Sequence, residues 1–468
     1  MGGIAASVVP EEIEKETGIK PIVGLMDKPG MVDDNDIVID TLPLDYSILN
    51  EIDYVYPEND GYYGYTTRGC VNRCPFCVVP TLEPEYCDYI GIKSRIAQTD
   101  ARFGPKRHLL LLDNNVFASP RFNEIIDEIK SCGFTKGATC LISNEYESAI
   151  NGLKSGYNDR GYIRSTVHQY MRLLKKIDGV QKEEIYQKLY DNKLLSIHTA
   201  TKDVILQLDS YFQPIFNKYF PPRARVRYVD FNQGVDARLA TDEKMGKLAE
   251  IPIRPLRIAF DRWSQRDVYA NAVRLAAKHG IDHLSNYMLY NYTDKPIEYY
   301  QRIKLNVELC EELGVMIYSF PMKYHPICDP AYFKNRSYLG KHWNRKFVRA
   351  VQVILNATKG KISGGREFFE EAFGCNEEEY FKYLYMPEAL LIYRFHYKEN
   401  GLTTLWWNAF QSLPKSKLET AKRIIEENNF NNIIGLTKDP EILNLLKYYT
   451  LDTTHKLSEK EIEDLHLI

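Results

Sequence analysis

Cys70, Cys74 and Cys77 fall on one short stretch, GYTTRGCVNRCPFCVVP (64–80), at C-x3-C-x2-C spacing. Three thiolates held this closely are soft ligands for zinc or for an iron–sulfur cluster. Four thiolates would saturate a cubane cluster. Three leave one iron with an open position, where a small molecule can bind and react. Phe76 stands directly before the last cysteine, and apolar packing at a cluster limits water and shifts its potential. Zinc would want a fourth ligand, for which Cys87 or a distant histidine is at hand.

The elements around the cysteines alternate between strand and helix. RHLLLLDNN (107–115) is a continuous apolar run, as expected of a strand buried on both faces. A helix follows in SPRFNEIIDEIKSCGF, with Ser119 as its expected N-cap and Pro120 in its first turn. VRYVDFNQGVDARL (226–239) reads as a strand running into a polar loop, then a helix capped by Thr241. PLRIAFDR (255–262) is a strand and 266–279 a helix ending at Gly280. HLSNYMLYN is a strand, and a helix runs from Pro296 to Gly314. VMIYSFPMKYHP is the last strand. Such alternation implies parallel strands joined by right-handed crossovers.

Polar residues follow each strand: Asp113, Asn114, Asn115, Gln233, Asp261, Asn291 and Lys323. In a parallel barrel these positions share one open end, where active sites form. The cysteine loop, after a strand read at 61–69, joins them there. The expected fold is therefore α/β: a partial parallel (β/α)6 TIM-type barrel over residues 56–143 and 224–325. A helical insertion (144–223) interrupts it and an α-helical C-terminal domain (326–468) follows.

C-x3-C-x2-C with an aromatic before its last cysteine, after the first strand of a βα series, resembles the radical S-adenosylmethionine (radical SAM) enzymes. RGCVNRCPFCVVP is most similar to their B12-binding/methylthiotransferase-like branch. Residues 1–69 lack the auxiliary-cluster cysteines of that branch. The segment 1–55, with GGIAASVVPEEIEKETGIKPIVG, resembles a remnant of a cobalamin-binding domain too short to hold cobalamin. The resemblance implies that Cys70, Cys74 and Cys77 hold a [4Fe-4S] cluster whose open iron binds S-adenosylmethionine. Reduction by a flavodoxin- or ferredoxin-type donor would cleave the sulfonium to a 5′-deoxyadenosyl radical that abstracts a substrate hydrogen. It also implies cofactor contacts from Phe76, Asp113, Asn114, Asn115, Gln233, Asp236, Arg238, Asp261, Asn291 and Lys323. Asp113-Asn114-Asn115 stands where the family carries Gly-Gly-Glu and would accept from the methionyl ammonium. Asp261 stands for a family Glu.

The remaining features bound the function. A net charge of −3 over 468 residues excludes a generally basic surface but not a local patch. There is no apolar run of membrane length and no signal pattern, so a cytoplasmic protein with no membrane partner is expected. Nine cysteines, an odd number, then favour thiols and metal ligands over disulfides. Scattered Cys87, Cys140, Cys328 and Cys375 offer a weak auxiliary-cluster set. His325 is a candidate proton relay and Cys87 a candidate radical quencher. The expected substrate is a small molecule or peptide held between the mouth and the helical cover. The alternative is RNA, docked on the basic runs PRARVR (222–227) and KHWNRKFVR (341–349). A third reading is a non-catalytic metal-cluster protein.

Overall fold

The computed structural model describes residues 3–327, 329, 331, 337–360 and 365–466. They form two compact units, Met1–Arg257 and Ile258–Ile468. This division falls inside the stretch 224–325 read from the sequence as part of one core. The protein is mixed α/β with small parallel sheets, and the described strands close no barrel.

The first unit is built on three parallel strands, β1 (Gly61–Gly64), β2 (His108–Leu111) and, further along the chain, β5 (Val229–Phe231). Two strands that precede β5, β3 (Thr139–Ile142) and β4 (Arg223–Val226), form a separate antiparallel ribbon. The order is β1–β2–β5, with Tyr63 opposite Leu110 and Leu110 opposite Asp230. All four residues of β2 are buried, which accounts for its unbroken apolar run. The helix Phe122–Ser131 buries Phe122, Ile125, Ile126 and Ile129 at helical spacing.

Its start differs from expectation. Ser119 is not the cap: its hydroxyl donates to Asp88 O at 2.6 Å and accepts from Arg121 N–H at 3.0 Å. That tertiary partner ends a short 3-10 turn at Ser119 and delays the helix. Thr241 does cap Asp242–Leu248, accepting from Lys244 N–H at 3.2 Å. The first and third strands are also shorter than read, because the chain turns into loops at Tyr65 and Asn232.

The insertion is helical, with Glu145–Ser155, Asp159–Lys176, Gly179–Asp191, Lys202–Gln207 and Asp209–Tyr219. Its own core stacks Tyr146 on Phe216 at 4.0 Å, with Tyr170 and Phe212 alongside. The β3–β4 ribbon at its base was not foreseen. Before β1, the described residues hold the helices Ile4–Val8 and Pro10–Thr17 and no strand.

In the second unit, β7 (His283–Tyr290) and β8 (Met316–Lys323) pair in parallel over their whole length. β6 (Leu256–Arg257) lies at the end of the first unit and is far shorter than the strand read at 255–262. The helices Arg266–Lys278 and Pro296–Leu313 flank β7 in sequence. Arg302 is fully buried and donates to the carbonyls of Phe260, Asp261 and Leu289 and to Asp294. One guanidinium thus satisfies two loop carbonyls and one near the end of β7. Further helices run from Arg345–Ala357 to Glu459–His466.

Candidate metal-cluster site

The cysteine loop leaves β1 through Thr66, Thr67 and Arg68, and each is pinned. Asp113, fully buried after β2, accepts from Thr66 N–H (3.0 Å) and Oγ1 (2.6 Å). It also accepts from Thr67 N–H (2.5 Å) and Oγ1 (2.8 Å). Burial pushes its carboxyl up to about 6, against the pull of these donors. Arg68 lies across the Tyr65 ring and pairs with Asp40 and Glu83. Glu83 also accepts from Gly69 N–H at 2.7 Å and Asn114 Nδ2 at 2.8 Å. Gly69 has φ +69°, and a Cβ there would lie 2.2 Å from Glu85 O, so only glycine fits. Backbone bonds between Arg68 and Cys87, at 3.0 and 2.9 Å, close the loop at its base.

Within it the sulfurs are oriented by the backbone. Cys70 Sγ accepts from Asn72 N–H at 3.4 Å and Cys77 Sγ from Val79 N–H at 3.5 Å. Amides aimed at sulfur favour the thiolate and tune any iron it binds. From β5's loop, Asp236 accepts from Asn72 Nδ2 at 2.9 Å and holds Arg238 in a two-pronged pair at 2.8 and 2.6 Å. Burial pushes Asp236 up, yet the Arg238 fork, a backbone amide and Asn72 together hold it below the usual carboxylate range. Arg238, raised by Asp236, also lies within electrostatic reach of Cys74 and Cys70. A cation therefore stands beside the thiolates.

Three buried polar atoms at this loop have no hydrogen-bond partner among the described residues: Arg68 Nε, Tyr86 Oη and Asn115 Nδ2. Tyr86 is close enough to Asp113, Cys70 and Cys87 for their charges, after burial, to raise its hydroxyl to about 12. Asn115 Oδ1 accepts from Asp236 N–H at 3.4 Å, which fixes Nδ2 as the spare donor. Unsatisfied buried groups at a native site point to a missing partner.

The predicted residues separate accordingly. Cys70, Cys74, Cys77, Asn115, Asp236 and Arg238 belong to one neighbourhood. Asp113 does not offer itself to an ammonium as the sequence suggested, since the threonines occupy its carboxylate, and Asn114 is spent on Glu83. Gln233 is exposed on the turn after β5, Phe76 is half-buried on the cysteine loop, and Cys87 is exposed with its thiol toward Tyr89 O. Asp261, Asn291, Lys323 and His325 lie in the second unit. Asn291 is buried at φ +65°, its amide spent on the carbonyls of Tyr324 and Tyr338 and the N–H of Gly340. That makes it a loop brace rather than a ligand contact. Lys323 ends β8, and His325 is half-buried just beyond. Cys328 lies outside the described residues. Glu83 and Tyr86 were missed because their roles rest on contacts between loops, which carry no periodic signal.

A mononuclear zinc site would bring its sulfurs to about 3.8 Å from one another, from tetrahedral geometry at 2.3 Å bonds. Among the described residues, the one group of three potential ligands with atoms within 4.8 Å of each other is Glu58, Asp60 and His108. The Glu58 group is itself poorly suited to metal. His108 Nδ1 accepts from Tyr228 N–H at 3.2 Å, so Nε2 carries the proton.

In the basic run at 341–349, Lys341, His342, Arg345 and Arg349 are exposed and Lys346 is not. Lys346 is buried with its ammonium on Met386 O, and Arg349 pairs with Glu388. No helix among the described residues is long and apolar enough to cross a membrane. No protein-family model matches the chain, and no curated protein matches it.

Proposed function

We propose that this protein is a cytoplasmic radical SAM enzyme with a partial-barrel core. Cys70, Cys74 and Cys77 would hold a [4Fe-4S] cluster, and the substrate is a small molecule or peptide. The observation that carries the reading is the C-x3-C-x2-C loop. It presents backbone amides to two of its sulfurs and has Arg238 within electrostatic reach of Cys70 and Cys74. When bound, the cluster supplies the electron that cleaves S-adenosylmethionine to a 5′-deoxyadenosyl radical. The chain's own residues prepare that step. Asp113, Glu83 and Arg68 fix the loop's path. The amides of Asn72 and Val79 and the guanidinium of Arg238 stabilise negative charge on sulfur, which raises the potential. Phe76 supplies apolar cover. Asn115 Nδ2, a donor, suits the methionyl carboxylate rather than the ammonium.

The test is anaerobic reconstitution with iron and sulfide, followed by S-adenosylmethionine and dithionite. Wild type is expected to take up about four irons and to release 5′-deoxyadenosine. Cys70→Ala, Cys74→Ala and Cys77→Ala should each abolish release, and Cys87→Ala should retain it. Iron uptake without 5′-deoxyadenosine, or a Cys87→Ala protein as metal-free as Cys74→Ala, refutes the assignment.

A further inference from the structure

The insertion concentrates positive charge on one helix. Its helix Asp159–Lys176 holds five arginines and lysines against one aspartate, in a chain of net charge −3. Arg160, Arg164, His168, Arg172 and Lys176 recur at every fourth residue, so they rise along the helix about 6 Å apart. Arg164 pairs with Asp53 and Arg172 with Glu145, and both carboxylates are largely exposed. Pairs of this kind are weak and exchange readily with another anion. Arg160, His168 and Lys176 have no ion-pair partner among the described residues.

Beside the start of this helix a cavity of about 420 Å³ opens between Glu51, Arg160, Ile163, Arg164, Ile197 and His198. It has the size of a small-ligand site. Arg164 Nε is buried without a hydrogen-bond partner. Glu51 is held at the cavity by Asn158 Nδ2 at 2.7 Å. The lining therefore combines two guanidiniums and an imidazole, a fixed carboxylate, and two isoleucines. Those groups match, in turn, a phosphate, a ribose hydroxyl and the face of a base.

We propose that this cavity binds a nucleoside phosphate, supplied either by a free nucleotide or by one residue of a single-stranded RNA whose backbone follows the basic stripe. The site is separate from the cysteine loop, and its test needs neither iron nor S-adenosylmethionine, so it stands or falls apart from the radical chemistry.

Binding to the full chain is measured across a salt series with two probes. One is each ribonucleoside 5′-monophosphate in turn, by calorimetry. The other is a fluorescein-labelled single-stranded RNA of about 12 nucleotides, by anisotropy. R160Q/R164Q is expected to weaken binding at least ~10-fold. In the RNA arm it should also reduce the slope of log K against log salt by about 1.4, at 0.7 per lost contact. RNA binding tighter than any mononucleotide, and weakened further by R172Q/K176Q, assigns the strand. Equal affinities, indifferent to R172Q/K176Q, assign the free nucleotide. Glu51→Gln should narrow the preference for ribose over deoxyribose. Exposed, unpaired Arg160 can be changed alone (R160Q) without threatening the fold, and circular dichroism checks this. The proposal is overturned if neither probe binds wild type, or if R160Q/R164Q leaves both affinities unchanged.

Discussion

Asp113→Ala is expected to lower the unfolding free energy by about 3–5 kcal/mol, because it strands buried donors that have no water to turn to. The two N–H groups and two hydroxyls of Thr66 and Thr67 all converge on this carboxylate. Those threonines lead directly into Arg68, Gly69 and Cys70, so the cysteine loop loses its template as well as its stability. Asp113→Asn keeps one oxygen of the same shape in place and should cost less than about 1.5 kcal/mol at neutral pH. Denaturant melts of both variants decide the matter. An alanine variant as stable as the asparagine variant would show that the threonines find other acceptors.

The second large effect concerns Lys346. Its side chain is 1% exposed, with its ammonium 2.5 Å from Met386 O and 5.9 Å from the Tyr449 ring. The charged groups facing it are Glu388 and Arg349, which pair with each other. Burial drives its pKa down to about 7, Glu388 opposing and Arg349 assisting. A folded pKa below the unfolded value means that the unfolded chain binds the extra proton above pH 7. Stability from this group therefore rises with pH between about 7 and 10.5. From pH 7 to pH 9 the wild type should gain about 2.3 kcal/mol relative to Lys346→Met, at 1.36 kcal/mol per unit once the folded amine is fully neutral. Comparing the two proteins cancels the other titrating groups they share. Parallel profiles would mean that water reaches the amine.

Lys346 also shows what a sequence does and does not reveal. In KHWNRKFVR the charge is plain, but nothing local states which lysine the helix Arg345–Ala357 turns inward. Elements with a strong period were legible: the apolar β2, the Thr241 cap, the long helices of the insertion. Ser119 misled because Ser-Pro is a local cap signal, whereas the carbonyl that takes its hydroxyl belongs to Asp88, 31 residues earlier and outside any local pattern. The ribbon of β3 and β4 escaped because neither strand buries a face: β3 alternates only between exposed and half-buried positions, and β4 is exposed throughout. At the candidate site, the cysteine spacing was visible from the start. Glu83, Tyr86 and the Arg68–Cys87 bridge were not, because each depends on two loops meeting.

Ile142 and Arg223 stand directly opposite each other where the insertion leaves and rejoins its host. Everything from 143 to 222 thus leaves and returns through one narrow stem and has an aromatic interior of its own, while Asn158 and Arg164 tie it back to Glu51 and Asp53. A tight Asn-Gly hairpin could bridge that stem without altering the register below it. The appendage is in this sense modular inside but moored outside: cutting it away would also strip Ser47, Glu51 and Asp53 of their partners in it.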